Sequence, residues 1–427
     1  VSAYGGVRLI AEMLEKIGFR SMIDRHRLPD RGSNRSYDPH AVIEAFVVAG
    51  VLGTSRLNHI EMIRHDEVIR SAMGWRAVPS ASTCSRFLSK MKPEDVVALR
   101  LEYLNRWFGK MKMPKATLDV DSTVITRYGE QEHASKGYNP TKPGRSSHHP
   151  LIAFLAEADM VANLRLRPGA SSSSTDAAQF IKESIELVGS NHVGIVRADK
   201  GFYSADIIDT ITAQGVDFVV AAKLTTALQR EISSIDTWRS AHDWPGVSYG
   251  ELIYQPQGWS KAHRFVVERH DIDEKPYRGG MLFEPNELGK AYSYRVYVTS
   301  LRIPAEHVCD IYRKRANAEN QIKQLKNDFG MNGYGLQKAS ACEMMMVMTA
   351  IAYNVVSLCI SLSYDKRKRP QLRRFVLECI ALGSWVRTKA RKTELVLSIQ
   401  GKNRLLFAER LKILERITAP VPLNHAS

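Results

Sequence analysis

Three acidic residues in unlike surroundings are the candidates for chemistry. Asp121 lies in Leu118-Asp119-Val120-Asp121-Ser122-Thr123, and Asp199 in Ala198-Asp199-Lys200-Gly201-Phe202-Tyr203. Glu319 follows Tyr312 and Arg315 at seven and four residues and precedes Lys323 and Lys326. Phosphodiester cleavage by two divalent ions needs a few carboxylates converging on one point. Magnesium takes oxygen ligands and keeps several waters, so two or three acidic residues suffice. Each residue also has a plainer reading. An Asp before a Gly makes a turn, a strand-end Asp makes a salt bridge, and a charged helix face carries intrahelical ion pairs. Asp119 and Asp121 share a strand face, and the sequence leaves open which of them reacts.

The spacing around Glu319 carries more information. On one continuous helix, at about 100° per residue, Tyr312, Arg315, Glu319 and Lys326 fall within roughly 60° of arc, with Lys323 close by. A carboxylate flanked by cations makes sense where the carboxylate holds metal and the cations hold phosphates.

These side chains need elements to position them. Residues 117–125 read as a strand, 151–156 and 160–167 as a hairpin turning near residues 157–159, and 176–188 as a helix. A short strand at 193–198 ends at Asp199, a helix capped by Ser204 runs to Gly215, and 216–222 is another strand. This order predicts an α/β sheet with an antiparallel start and a parallel continuation, in which sites gather at strand C-termini. Residues 7–17, 40–52, 59–73 and 82–91 read as helices, and Ser80 to Arg86 has the form of a short capped helix that could belong to a helix-turn-helix. Residues 224–300, with Trp238, Trp244 and Trp259, read as a β-rich insertion, and from Pro304 onward the chain reads as helical.

Composition narrows the partner. The chain has 427 residues and a formal net charge of +15, enough length for several domains and enough positive charge to suit a polyanion. From Tyr364 to Arg416 there are 15 Lys and Arg against 5 Asp and Glu, so this stretch carries +10 of that charge and could bind phosphates in a salt-sensitive way. The five cysteines show no CxxC spacing and suit a reducing compartment. No charged-then-apolar leader opens the chain, and it begins at Val1 with no methionine, so either a start residue is missing or the N-terminus has been trimmed. Residues 344–362 are apolar enough for a span, but Thr349, Asn354 and Ser357 interrupt them, which predicts a buried core helix.

Tyr312-x2-Arg315-x3-Glu319-x6-Lys326 resembles the Y-(2)-R-(3)-E-(6)-K motif of bacterial insertion-sequence DDE transposases with an RNase H-like core. Asp121 in Asp-Ser-Thr and Asp199 in Asp-Lys-Gly-Phe-Tyr resemble that family's two aspartates. Tyr128-Gly129-Glu130-Gln131, Gly137-Tyr138-Asn139-Pro140 and His148-His149-Pro150-Leu151 are similar to one subgroup. The resemblance implies an RNase H-like mixed sheet with a β-rich insertion, an all-α N-terminal domain and a helical C-terminal region. Its expected parts are a helical DNA-binding domain (1–112), the core in two pieces (113–223 and 301–362), the insertion (224–300) and a basic C-terminal region (363–427).

The function implied is cut-and-paste transposition: a nick at the element end, attack by the freed 3′-hydroxyl to form a hairpin, hairpin opening and joining to target. Asp121, Asp199 and Glu319 would bind two Mg²⁺ (or Mn²⁺). Tyr312, Arg315, Lys326, Lys323, Lys200 and Arg86 would contact DNA. Some relatives stack a flipped base on a Trp of the insertion. Near its returning strand this chain has Tyr294, Arg295 and Tyr297, so Trp259, Tyr294 or Tyr297 would take that role. The partners implied are double-stranded DNA ends and target and a second copy of the chain in a homodimeric synapse, and the compartment is a bacterial, nucleoid-associated cytoplasm. Two rivals stand beside this reading: an RNase H-fold DNA nuclease without strand transfer, and a DNA-binding relative that has lost catalysis.

Overall fold

The computed structural model describes residues 1–26, 28–29, 37–109, 111–112, 114–271, 292–389, 392–417 and 421–422. Seven helices come first: α1 (Val7–Lys16), α2 (Phe19–Ile23), α3 (Pro39–Val51), α4 (Ile60–His65), α5 (Glu67–Met73), α6 (Ala81–Ser89) and α7 (Pro93–Gly109). The single helix expected over 59–73 breaks at Asp66. There the backbone is extended, and the carboxylate accepts the Ile69 N–H at 2.9 Å, capping α5. Ser80 caps α6 in the same way through the Thr83 N–H.

The middle of the chain is a sheet. Its first strands are β1 (Ala116–Ser122), β2 (Leu151–Leu155), β3 (Met160–Arg165), β4 (Val193–Ala198) and β5 (Asp217–Ala221). In space they run β3-β2-β1-β4-β5, with β1–β2 and β2–β3 antiparallel and β1–β4 and β4–β5 parallel. That is the RNase H-like arrangement. The β2–β3 turn falls where expected, with Asp159 at φ 52°. The crossovers are α8 (Ala177–Val188) and α9 (Ala205–Ala213). The β-rich segment follows α10 (Thr226–Ser233). It supplies β6 (Arg239–Ser240), β7 (Val247–Tyr254), β8 (His263–Asp271) and β9 (Tyr292–Thr299). It extends the same sheet, because β9 pairs antiparallel with β5 from Tyr297↔Ala221 to Thr299↔Val219. Residues 272–291, between β8 and β9, lie outside the described residues.

The chain then returns through α11 (Ala305–Arg313), α12 (Ala316–Asn327) and α13 (Ala339–Ser363). α13 is long and apolar enough to cross a membrane, yet 94% of its apolar window is buried within the protein. Its polar interruptions have partners. Asn354 accepts the Val161 N–H at 2.8 Å and donates to the Val161 carbonyl at 3.0 Å, satisfying the outer edge of β3, and Ser357 donates to the Asp159 carbonyl at 2.7 Å. α13 therefore ties the sheet to the N-terminal helices, and one hydrophobic core runs from Val7 to Leu414.

The C-terminal region differs from the expected all-helical reading. Beside α14 (Leu372–Phe375) and α15 (Gly401–Arg416) it holds an antiparallel hairpin, β10 (Ser384–Lys389) and β11 (Lys392–Leu397). Val386, Thr388, Thr393 and Val396 favour strand, and Arg387 faces Glu394 across the ladder with a 2.6 Å ion pair. The expected 363–427 unit is also joined to the chain start. Ser2 and Ser384 exchange backbone hydrogen bonds at 2.7 and 2.8 Å, and Gly6 lies so close to Cys379 that any Cβ would clash with its carbonyl.

Candidate active site

The register of β1 puts Asp119 and Asp121 on one face of the sheet, with different surroundings. Asp119 is fully buried, and Arg197 of β4 grips both its oxygens at 2.5 and 2.6 Å. Arg197 also donates to the Ile311 carbonyl of α11. Asp119 is therefore a strut between β1, β4 and α11. Sequence reasoning missed Arg197; a cation inside the apolar strand Val193–Ala198 was the available signal.

Asp121 sits two residues further along, where β1 ends. It lines an open cleft of about 530 Å³ together with Asp199, Lys326, Thr123 and Asn332. Asp199 follows β4, and its Oδ1 accepts the Gly201 N–H at 2.8 Å, so the chain turns sharply there. Only glycine fits at 201: a Cβ would stand 2.8 Å from Ser173 and 2.9 Å from Asp199 Oδ1. Buried Phe202 anchors the turn, and Tyr203 packs on Trp259 with ring centroids 5.0 Å apart.

The expected continuous helix through Tyr312 and Lys326 is broken. α11 ends at Arg313 and α12 begins at Ala316. Between them the backbone tightens into three-residue hydrogen bonds, Arg315 N–H to the Tyr312 carbonyl at 2.9 Å and Ala318 N–H to the Arg315 carbonyl at 2.9 Å. The kink still directs the motif toward the aspartates. Arg315, 7% exposed, holds Asp121 Oδ2 at 2.7 Å and Glu319 Oε1 at 3.2 Å. Lys326 donates to Thr123 Oγ1 at 3.1 Å and the Val124 carbonyl at 2.9 Å, and burial pushes its pKa down.

Electrostatics tie the group together. Burial pushes the Asp121 carboxyl up to about 6; Arg315 opposes the shift, while the like charges of Asp199 and Glu319 add to it. Burial, with the same three carboxylates and against Arg315, pushes the Tyr312 hydroxyl up to about 12, so it stays a hydrogen-bond donor at neutral pH. The Tyr312 ring lies on Tyr297, centroids 4.4 Å apart.

Among the described residues no three His, Cys, Asp or Glu side chains converge tightly enough to hold an ion together. The donor set nevertheless suits a hard cation. It is all oxygen, and the raised Asp121 carboxyl marks negative charge that burial leaves short of compensation. Arg315 supplies the positive charge there and reaches Glu319, whose side chain is 67% exposed and which is not among the residues lining the cleft.

The other expected residues fall in three places. Lys200 and Lys323 are exposed on the elements that carry Asp199 and Glu319. Arg86 is exposed on α6, where it donates to Thr83, and it is not among the residues lining the cleft. Of the aromatics, Trp259 is half-buried on the Asp199 turn, and Tyr294 is half-buried near Trp238. Tyr297 is 2% exposed beneath Tyr312 and has no face to offer a base, which corrects the expectation for that ring.

The cleft also holds groups that sequence reasoning passed over. His149 shares a hydrogen with the Ser171 carbonyl at 2.7 Å, which fixes the proton on Nδ1, so Ser122 Oγ donates to Nε2 at 3.1 Å. Ser122 also meets Ser173 at 3.0 Å. Their signal was the pair Asp-Ser-Thr and His-His-Pro-Leu, whose neighbourhood in space the sequence does not display.

A family model described as "Transposase DDE domain group 1" matches residues 1–419. The chain belongs to this family. It is a DDE-type transposase. A search of curated proteins finds no match. Among solved structures, the transposase is similar to a chain of the piggyBac transposase synaptic complex with hairpin DNA, at 10% identity and TM-score 0.47, over 96% of this chain and 78% of that one.

Proposed function

We propose that this transposase binds the terminal inverted repeats of a bacterial insertion sequence and carries out DNA cleavage and strand transfer at the Asp121–Asp199–Glu319 cleft. The observation that supports this reading most is Arg315, which joins the strand carboxylate Asp121 to the helix carboxylate Glu319 across the two halves of the core. When bound, two Mg²⁺ (or Mn²⁺) ions would lower the cost of charge on the attacking and leaving oxygens.

The chain's own groups have separable tasks. Asp121, Asp199 and Glu319 would be the ion ligands. The Tyr312 hydroxyl, the Arg315 guanidinium and the Lys326 ammonium would donate to phosphate oxygens flanking the cut. Lys200, Lys323 and Arg86 would make outer DNA contacts. In the hairpin step, Trp259 is the ring best situated to stack on a displaced base, since it packs on the Asp199 turn; Tyr294 is the reserve. The working form would be a homodimer on paired ends in the bacterial cytoplasm.

The test is incubation of a duplex carrying the element's own end with Mg²⁺ and either wild type or Glu319→Gln. Cutting at the end by wild type alone, with a hairpin product, supports the full reading. Cutting without end joining would leave a nuclease. Tight binding without any cutting would leave an inactive DNA-binding relative.

A further inference from the structure

Two tyrosines at the cleft have no task in the reaction proposed above. Tyr128 and Tyr138 each keep 73% of their surface exposed, yet both line the cleft with Asp121 and Asp199. A single exposed ring needs no explanation. Two beside the same carboxylates, on successive connections of the small three-stranded sheet formed by Ile125–Thr126, Ser135–Lys136 and Ser146–His148, do.

The segment is built to hold them. Asn139, 5% exposed, donates to Thr126 Oγ1 at 3.1 Å and accepts the Lys142 N–H at 3.0 Å. Gly137 sits against Gly169 so tightly that a Cβ would come within 2.0 Å of its carbonyl oxygen. Ala170 N–H donates to Ser135 Oγ at 2.9 Å. Next to Tyr128, buried Arg127 donates to the Tyr334 carbonyl at 3.0 Å. The rings thus stand on pinned backbone, which lowers the entropy cost of engaging a ligand.

The charge around the second ring points to a ligand class. Glu130 and Glu132 follow Tyr128 and are exposed, but from His133 to Ala156 the chain has no Asp or Glu, and Lys136, Lys142 and Arg145 are all exposed. The Arg145 guanidinium lies 5.9 Å from the Tyr128 ring centroid. Aromatic rings interleaved with cations are the elements of a single-stranded nucleic-acid track: rings take base faces and cations take phosphates. Paired bases have both faces covered by their neighbours, so open ring faces gain most from a base that is out of its stack.

We propose that Tyr128 and Tyr138 form a stacking platform for unpaired bases of the DNA strand leaving the cleft, with Lys136, Lys142 and Arg145 on its phosphates. This rests on the DNA-cutting reading of the cleft. The two tyrosines belong to the segment between β1 and β2 and Trp259 to the insertion, so the platform is a separate element from the ring assigned to the displaced base.

The test uses the full chain with Ca²⁺ and two probes: a short duplex with a single-stranded overhang carrying 2-aminopurine, and the same duplex blunt-ended. Wild type should change the 2-aminopurine emission. Tyr128→Ala and Tyr138→Ala should each weaken overhang binding about fivefold to a hundredfold, with blunt-duplex binding changed by less than about twofold. Tyr→Phe at either position should restore the overhang signal, because stacking needs the ring and not the hydroxyl. Alanine variants that bind the overhang as wild type does would overturn the platform. So would equal losses on both probes, or phenylalanine variants that behave like alanine. Failure of the underlying reading looks different: wild type itself would not cut its end duplex with Mg²⁺.

Discussion

Arg315 lies 2.7 Å from Asp121 and is the nearest positive charge to a carboxyl that burial holds at about 6. The arginine compensates the aspartate and in the same fork reaches Glu319. Replacing it with methionine should therefore leave Asp121 short of a partner and cost on the order of 1–3 kcal/mol, less than a fully dry broken pair because Glu319 is exposed. Added Mg²⁺ should recover more stability in Arg315→Met than in wild type, because a ligand that binds only the folded state stabilises it by mass action. Thermal melts with EDTA and with Mg²⁺ check this; equal melting of both proteins in EDTA would remove the argument.

Asp119 and Asp121 should separate cleanly on substitution. Asp119→Asn leaves Arg197 buried without its anion and should cost about 3–5 kcal/mol of stability, with cutting weakened through loss of folded protein. Asp121→Asn should keep the fold and abolish cutting. Urea melts and end cleavage with Mg²⁺ measure both. An Asp119→Asn protein that folds well and is dead, beside an Asp121→Asn protein that cuts, would reverse the assignment.

Tyr312 carries its ring on Tyr297 and keeps its hydroxyl protonated. If the hydroxyl donates to a phosphate, Tyr312→Phe should slow cutting by about tenfold, the worth of one hydrogen bond to a charged acceptor. The stacked pair itself should survive, so the melting temperature should hold. Tyr297→Ala, by contrast, should lower it, since an aromatic contact contributes about 0.5–1.5 kcal/mol beyond burial. An unchanged cutting rate for Tyr312→Phe would confine Tyr312 to packing.

His148 gives the fold a pH dependence of its own. Its Nε2–H donates to the Glu132 carbonyl at 2.8 Å and its Nδ1 accepts from Arg127 Nε at 3.1 Å, so a second proton would set two donors against each other. Burial pushes its pKa down to about 4, with the charges of Arg127 and His133 acting the same way. The unfolded chain then binds the proton first as pH falls. The stabilisation is whole above the ordinary histidine value, near 6.5, and is lost as pH falls through about 4. Denaturant midpoints between pH 7 and about pH 4 should decline less steeply in His148→Gln than in wild type; parallel curves would exclude His148 as the source.

Much of this molecule was readable from residue order. Val193–Ala198 is the strand expected, ending at Asp199, because a short apolar run followed by Asp-Lys-Gly can hardly be anything else. The polar breaks in α13 marked a buried helix correctly: Asn354 and Ser357 satisfy backbone groups of β3 and the turn before it, and Thr349 donates to the Met345 carbonyl of the helix itself. The readings that changed did so for local reasons. Asp66 caps a new helix in mid-pattern, and the C-terminal hairpin hides its alternation under a run of cations.

By itself, the sequence determined the family and the order of strands and helices in the core, because spacing and apolar period are written along the chain. Tertiary structure decided how two neighbouring aspartates differ: Arg197 arrives from the adjacent strand and takes both oxygens of Asp119, while Asp121 lines the cleft with Arg315 beside it. It likewise decided that the motif spans two helices, that Tyr297 is covered, and that Tyr128 and Tyr138 stand open beside Asp121. These are facts of pairing between residues far apart in sequence, and only folding brings such partners within reach of a hydrogen bond or a ring face.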